Sequence, residues 1–469
     1  MAPYETRAVM FDPARLMERK EYYFGLLPWL KRWGYNLVHM HITDDQGCAM
    51  VFPSHPELAS KHAFTPDEMR EFIAAARKQK IEVIPEIESL GHTRFIWGHK
   101  RYRHLGAPDT GGFNAIDPDH PDTRAVLRDL IRDAAGIFDS ELIHVGLDEV
   151  NFSVLPKYKK LPSSEHWRIF ARHAAWVHSE VRRAGRRPVM WADHVLHSPQ
   201  MAKKFGSDVL MVDWHYGIPL AESSLKFFGD LPFEFWGGPA TVCWAARISP
   251  NHINIGNLRE FSSRALPFRR KKLTGMVNTV WCPWRNLTGA IDLGLGLAGH
   301  LFSSETESSG YPARFAADFY GLGKKDAAAC GDAIMTLYMH APDRAYHERV
   351  MTGTDLRNTF SREDIRLGDG YDRSMTALAK TLAALQRKAK RNADRLGDVV
   401  LTAKSLAAVG RFAAAGRKKG KVKGKASLVK AVEKAWNRDR YMDEPRLRKV
   451  KRPSEHYLRS WMIHGLRSL

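Results

Sequence analysis

Over roughly the first 310 residues, short apolar runs alternate with longer amphipathic segments, and this rhythm constrains the fold more than any other feature. Runs at 8–11, 36–41, 81–87, 142–145, 188–191, 209–214 and 275–281 read as strands, and 240–244 as a less regular one. Helical spacing fills the intervals. Leu16 to Trp33 is stopped by Gly34, Thr65-Pro66-Asp67-Glu68 opens a second helix with a capping box, and 121–138 and 167–184 follow. About eight strand–helix units predict an α/β chain folded as a (β/α)8 TIM barrel over residues 1–310. A doubly wound open sheet fits less well, because no Gly-rich phosphate loop follows the first strand.

From about residue 312 the alternation stops. Segments 326–340, 374–395, 405–415 and 428–436 read as helices, with Asp326 and Ser374 as N-caps of the first two. Residues 311–469 are therefore expected to form a mainly helical, basic C-terminal region. The formal net charge of +20 invites a nucleic-acid reading. Its distribution argues against nucleic acid as the main partner, since the densest runs, 417–425 and 446–452, lie late and the first is a Gly/Lys-rich solvated stretch. A polyanion contact there stands as a rival reading and predicts salt-sensitive binding. The run Arg269-Arg270-Lys271-Lys272 is expected to close a surface helix. Cys48, Cys243, Cys282 and Cys330 are widely spaced, which fits a reducing compartment. With no signal-peptide pattern and no long apolar run, the expectation is a cytoplasmic chain without a membrane partner.

The candidate chemistry lies where strands end. Asp148 and Glu149 follow the apolar run 141–145. Two adjacent acids cannot easily reach opposite faces of one sugar ring, so a glycosidase built on them needs a nucleophile from elsewhere. Arg15 follows the first strand, Asp44 the second, and Glu86, Glu88 and His92 the third. Trp191 with Asp193, Asp213 with Trp214, and Trp281 with Trp284 follow later ones. Carboxylates beside tryptophans suit a sugar, whose C–H faces stack on indole while polar groups fix its hydroxyls. Each residue also has a structural reading: a helix N-terminal acidic pair for Asp148-Glu149, a salt bridge for Arg15, core packing for His144 and each Trp. His39 and His41 share a sheet face, but no third ligand accompanies them at a matching spacing, so no metal is expected.

Three segments carry a resemblance. Tyr35 to Gly47 (YNLVHMHITDDQG), Ile84 to His92 (IPEIESLGH) and Ile143 to Val150 (IHVGLDEV) resemble, in order and spacing, motifs of glycoside hydrolase family 20, the β-N-acetylhexosaminidases. The resemblance covers roughly residues 5–310 and leaves out the helical tail. It implies a retaining exo-hydrolase of terminal β-linked GlcNAc or GalNAc that needs no cofactor. The substrate's own 2-acetamido oxygen is then the nucleophile and an oxazolinium ion the intermediate. It makes Glu149 the general acid and base and Asp148 the residue that orients the acetamido group. Arg15 grips sugar hydroxyls, Asp44 and His92 support the pair, and Trp191, Trp214 and Trp281 form the walls of the sugar site. A carbohydrate-binding barrel with weak or no turnover is the alternative. The chain also departs from the pattern. Cys243-Trp244-Ala245-Ala246-Arg247 stands where a Tyr-x-Asp element is usual, leaving Tyr216 as a candidate substitute. Pro283 replaces an acid after the last tryptophan, Glu88 stands in place of Asp, and Leu90 in place of Pro.

Overall fold

The computed structural model describes residues 2–106, 115–243, 248–305, 308–341, 362–415, 422–441 and 461–469. Two compact units emerge, one formed by 1–239 with 259–279, the other by 240–258 with 280–469.

The first unit holds a closed barrel of eight strands: β1 (Thr6–Phe11), β2 (Leu37–His41), β3 (Glu82–Glu86), β4 (Leu142–His144), β5 (Arg187–Trp191), β6 (Leu210–Trp214), β7 (Phe235–Gly238) and β8 (Leu273–Val280). Neighbours pair in parallel from β1 round to β8, and β8 pairs with β1 to close the ring. The (β/α)8 expectation therefore holds. Helices α1 (Lys20–Trp33), α2 (Pro66–Lys78), α3 (Pro121–Ile137), α4 (Ser163–Arg183) and α5 (Glu222–Asp230) fill crossovers between these strands. Helix α1 buries Tyr22, Tyr23, Leu26, Leu27, Leu30 and Trp33, a three-to-four spacing that makes one apolar face. It ends where Gly34 turns left-handed at φ 105° and its N–H reaches back to the last carbonyls. Thr65 and Glu68 make both halves of the capping box that opens α2. The β5–β6 crossover is shorter than the rhythm suggests, using one five-residue helix, Asp193–His197, and a 3-10 turn. Arg269 to Lys271 likewise close a 3-10 turn, Leu266–Lys271.

The second unit is helical beyond residue 280, with helices Asp292–Ser303, Tyr311–Phe319, Lys324–His340, Arg362–Gln386, Ala393–Ala415, Lys425–Asp439 and Trp461–Ser468. Two capping expectations fail. Ser374 lies inside Arg362–Gln386, and Asp326 sits in the first turn of a helix whose N-cap is Gly323. The chain also breaks earlier than periodicity implies. Phe319 and Tyr320 draw it out of the helix: Tyr320's carbonyl accepts from the N–H groups of Lys390 and Arg391, at 2.9 and 3.2 Å, and Phe319's from the Asn392 amide at 2.8 Å. Asn392 turns left-handed at φ 48°, and the next helix starts one residue later. No glycine or proline marks this break, because its cause is tertiary. The basic run 446–452 and most of 417–425 lie outside the described residues. Among those described, no helix is long and apolar enough to cross a membrane.

The seventh barrel strand corrects the expectation at 240–244. The barrel uses Phe235-Trp236-Gly237-Gly238 instead, and Ala240–Val242 is a separate short strand. Close packing favours the two consecutive glycines here. A Cβ on Gly237 would stand 2.5 Å from the Phe261 ring and 2.8 Å from the Met276 sulfur. Gly237→Ala is therefore expected to cost about 1–3 kcal/mol, the usual range for overpacking a filled core. Urea unfolding that left the midpoint unchanged would refute that close-packing account.

Candidate active site

The barrel gathers charged side chains at the C-terminal ends of its first five strands. After β1, the Arg15 guanidinium lies 3.1 Å from Asp12 and 2.8 Å from Asp44. Asp44 belongs to a tight two-residue hairpin that follows β2. The same Asp44 oxygen that meets Arg15 is 3.0 Å from His41 Nε2 and 3.4 Å from His92 Nδ1. The far nitrogen of His92 then faces Glu149 at 3.3 Å and Asp148 at 3.8 Å. A continuous line of alternating charge thus runs Arg15–Asp44–His92–Glu149. Burial alone would raise Asp44, but Arg15, His92 and His41 outweigh it and hold the carboxyl well below the usual carboxylate range. Burial would likewise discharge His92, but Asp44, Asp148 and Glu149 keep its pKa well above the ordinary imidazole value.

Glu86, the last residue of β3, is the hub of a buried polar layer. It accepts the Trp191 indole N–H at 2.5 Å and lies 2.7 Å from His41, 2.9 Å from His39 and 3.3 Å from His144. Burial opposes ionisation of Glu86, but these imidazoles hold its pKa well below the usual value. Burial works against the His41 imidazolium too, yet Glu86 and Asp44 push it up to about 10. Burial dominates at His144, pushing it down to about 3 and leaving it neutral. Barrel closure here supplies what linear spacing did not. His39, Glu86 and His144 bring possible metal-ligating atoms within 4.8 Å of one another, as do His92, Asp148 and Glu149. In the first group, Glu86 lies between the two imidazoles and accepts from Trp191. Trp191 itself is fully covered, packed against His144 and His39 with ring centroids 4.6 and 5.8 Å away. Its indole braces the layer and shows no open face.

Past β4 the backbone is left-handed at Gly146 (φ 65°), Leu147 (φ 78°) and Glu149 (φ 49°). Such a run is costly for residues with a Cβ and persists only when its surroundings hold it. Three contacts do so. Glu149 N–H donates to Asp193 at 3.2 Å, Val150 N–H donates to His194 at 2.9 Å, and Gly91 packs so tightly that a Cβ there would stand 2.5 Å from the Asp148 carbonyl oxygen. The twisted turn separates two sequence neighbours. The Asp148 side chain is only 12% exposed, whereas that of Glu149 is 36% exposed. Burial, helped by Asp193 and Glu149 and opposed by His92, pushes Asp148 up to about 7.

Trp214 ends β6, half-buried, with Tyr216 stacked on it at 5.1 Å and 24°. Trp281 lies just beyond β8 in the second unit, 7% exposed. Trp244 to Arg247, where the Tyr-x-Asp element was sought, fall outside the described residues. The barrel thus brings Arg15, Asp44, His92, Asp148 and Glu149 together directly and places Trp191 beneath them. Sequence reasoning gave no role to Asp12 or His194 and left Asp193 without one. The signal for Asp193 was its place just after Trp191; nothing local marked His194.

The family model described as "Glycosyl hydrolase family 20, catalytic domain" matches residues 4–223. That stretch contains the whole Arg15–Asp44–His92–Glu149 line. Over residues 4–223 the chain is therefore similar to glycosyl hydrolase family 20. A β-N-acetylhexosaminidase of Cellulomonas fimi is 30% identical over 208 residues, which are 40% of each chain. The β subunit of human β-hexosaminidase is 33% identical over 130 residues, 25% of this chain and 23% of the subunit. The chain thus spans well under half the length of these curated relatives. Among solved structures, the N-acetyl-β-hexosaminidase of Streptomyces plicatus superposes with a TM-score of 0.54 at 19% identity, covering 70% of each chain. The chitobiase of Flavobacterium johnsoniae superposes with a TM-score of 0.56 at 17% identity, covering 92% of this chain and 75% of its own. At such identities these structures speak for the barrel fold.

The raised pKa of Asp148 has a measurable cost. The unfolded aspartate titrates near 3.8 and the folded one near 7, so the folded state binds the extra proton between those values. Stability contributed by protonated Asp148 is therefore present at low pH and lost as pH rises through that window. Asp148→Asn is expected to raise the melting temperature at about pH 8 and barely alter it at about pH 4, the two ends of the linkage window. An equal shift at both ends would contradict the burial account.

Proposed function

We propose that this domain is a retaining exo-β-N-acetylhexosaminidase that releases terminal GlcNAc or GalNAc by substrate-assisted catalysis. The observation that carries the reading is the division between Asp148 and Glu149. One acid is buried, the other partly open, and both stand on one turn of the site. In a two-carboxylate scheme the acids flank the scissile bond on opposite sides. Here the substrate's acetamido group takes the second place.

In the first step Glu149 gives its proton to the glycosidic oxygen as the C1–O bond breaks. The acetamido carbonyl oxygen attacks C1 and closes a five-membered oxazolinium ring. Asp148, as carboxylate, accepts the acetamido N–H and offsets the positive charge that develops there. The His92 imidazolium, backed by Asp44 and Arg15, stabilises the Glu149 carboxylate left behind. In the second step Glu149 takes a proton from water, the water oxygen bonds to C1, and the ring opens to the β-sugar. Arg15, partly exposed while tied to Asp12 and Asp44, is placed to meet sugar hydroxyls. Trp214 and Tyr216 offer an aromatic surface for the pyranose face, and Trp191 acts from below through Glu86.

Aryl β-N-acetylglucosaminides should be turned over, and Glu149→Gln should lower kcat by about 100-fold to 10,000-fold, the usual range for a lost general acid. The melting temperature of the variant should stay close to that of the parent. Undiminished turnover in a folded Glu149→Gln protein would remove Glu149 from the role. Binding of N-acetylglucosamine without turnover by the parent chain would point instead to a carbohydrate-binding barrel.

A further inference from the structure

Glu88 is the acid of this cluster for which the mechanism has no use. Its side chain is fully buried, two residues past β3, and its N–H donates to the Thr43 hydroxyl at 2.8 Å. Neither carboxyl oxygen has a hydrogen-bond partner among the described residues. One of them presses against the turn that carries the catalytic pair. A Cβ on Gly146 would stand 2.0 Å from Glu88 Oε2 and 2.4 Å from its carboxyl carbon. With Gly91 against the Asp148 carbonyl, the loops after β3 and β4 interlock at two points.

The charged groups around Glu88 are mostly anions. From β3 comes Glu86, from the hairpin after β2 comes Asp44, and from the turn after β4 comes Asp148. Arg15 is a cation acting on it, and its guanidinium already serves Asp12 and Asp44. His41 also comes near, within 4.8 Å as part of a group with Glu86, but Glu86 and Asp44 engage it. An ionised carboxylate buried without donors is strongly disfavoured.

Resting on the hexosaminidase reading, we propose that Glu88 is a positioning residue held as a neutral carboxylic acid beneath Gly146, where it supports the catalytic turn and leaves Asp148 free to be the anion that meets the acetamido group. Burial, with Asp148, Glu86 and Asp44 adding to it, raises the Glu88 pKa well above the usual value, in agreement with the geometry. An aspartate at this position would be one methylene shorter. A shorter acid would draw back from Gly146, so the longer side chain and the bare glycine form a matched pair in this chain.

Glu88→Gln and Glu88→Asp separate charge from reach. Glutamine has the shape of the neutral acid. In Glu88→Gln, kcat should change by less than about threefold, far below the loss from removing a catalytic group, and the acid limb of the kcat/KM profile should stay in place. Glu88→Asp keeps the acid but loses the contact, so kcat should fall about tenfold or more with KM changing less. Infrared difference spectra of the whole chain should show the carbonyl stretch of a protonated carboxylic acid that disappears in Glu88→Gln. Displacement of the acid limb to lower pH in Glu88→Gln, or no acid carbonyl lost, would mean that Glu88 is ionised and would overturn the proposal. Full kcat in Glu88→Asp would overturn its positioning role. The infrared readout needs no substrate, so a chain inert toward N-acetylhexosaminides would refute the hexosaminidase reading while still reporting the charge on Glu88.

Discussion

The site depends on one constraint: a crowd of carboxylates buried at the open end of a barrel must be neutralised without water. Asp12, Asp44, Glu86, Glu88 and Asp148 are all largely or wholly removed from solvent. Arg15, His41 and His92 are the cations set among them, and each is shared. Sharing turns separate ion pairs into a network, so the protonation of each acid depends on its neighbours. Two acids are held ionised, Asp44 through Arg15, His92 and His41, and Glu86 through three imidazoles. Glu88 and Asp148 are pushed the other way by burial and by those same fixed anions. The proposed chemistry falls to the Asp148-Glu149 turn, at the edge of this network.

The backbone follows from the same constraint. Bringing Glu149 out to partial exposure while its neighbour Asp148 stays buried requires the left-handed geometry at Gly146, Leu147 and Glu149. That geometry is held by acceptors on the next crossover, Asp193 and His194, and by close packing against Gly91 and Glu88. The elements after β3 and β5 thus set the angle at which the acid on β4 is presented. Strain at a functional turn, supported from outside it, is how a rigid barrel gives two adjacent residues different environments.

Much of this was legible in the chain, and the parts that were not share a cause. The strand–helix rhythm gave the barrel, and Gly34 and the Thr65–Glu68 box marked helix ends where they occur, because those signals are local. The strand-end acids, Arg15 and His92 were legible because a barrel collects strand ends on one face. What escaped was set by tertiary contact. Phe235 to Gly238 was not picked out as a strand, because its two glycines are there for close packing. The break before Asn392 is set by carbonyls of Phe319 and Tyr320 more than 70 residues earlier. Trp191 looked like a wall by its place at a strand end, whereas its N–H is committed to Glu86. His39 and His41 looked like an incomplete pair until β3 and β4 brought Glu86 and His144 beside them.

The central claim is that the substrate supplies the nucleophile while Asp148 and Glu149 divide the remaining work. It is tested most directly by a series of aryl glycosides whose N-acetyl group carries none, one, two or three fluorines. Fluorination weakens the acetamido oxygen as a nucleophile without removing it. If that oxygen attacks C1, kcat/KM must fall steeply and monotonically along the series. Rates independent of fluorination would mean that a group on the protein attacks instead, and would contradict the account.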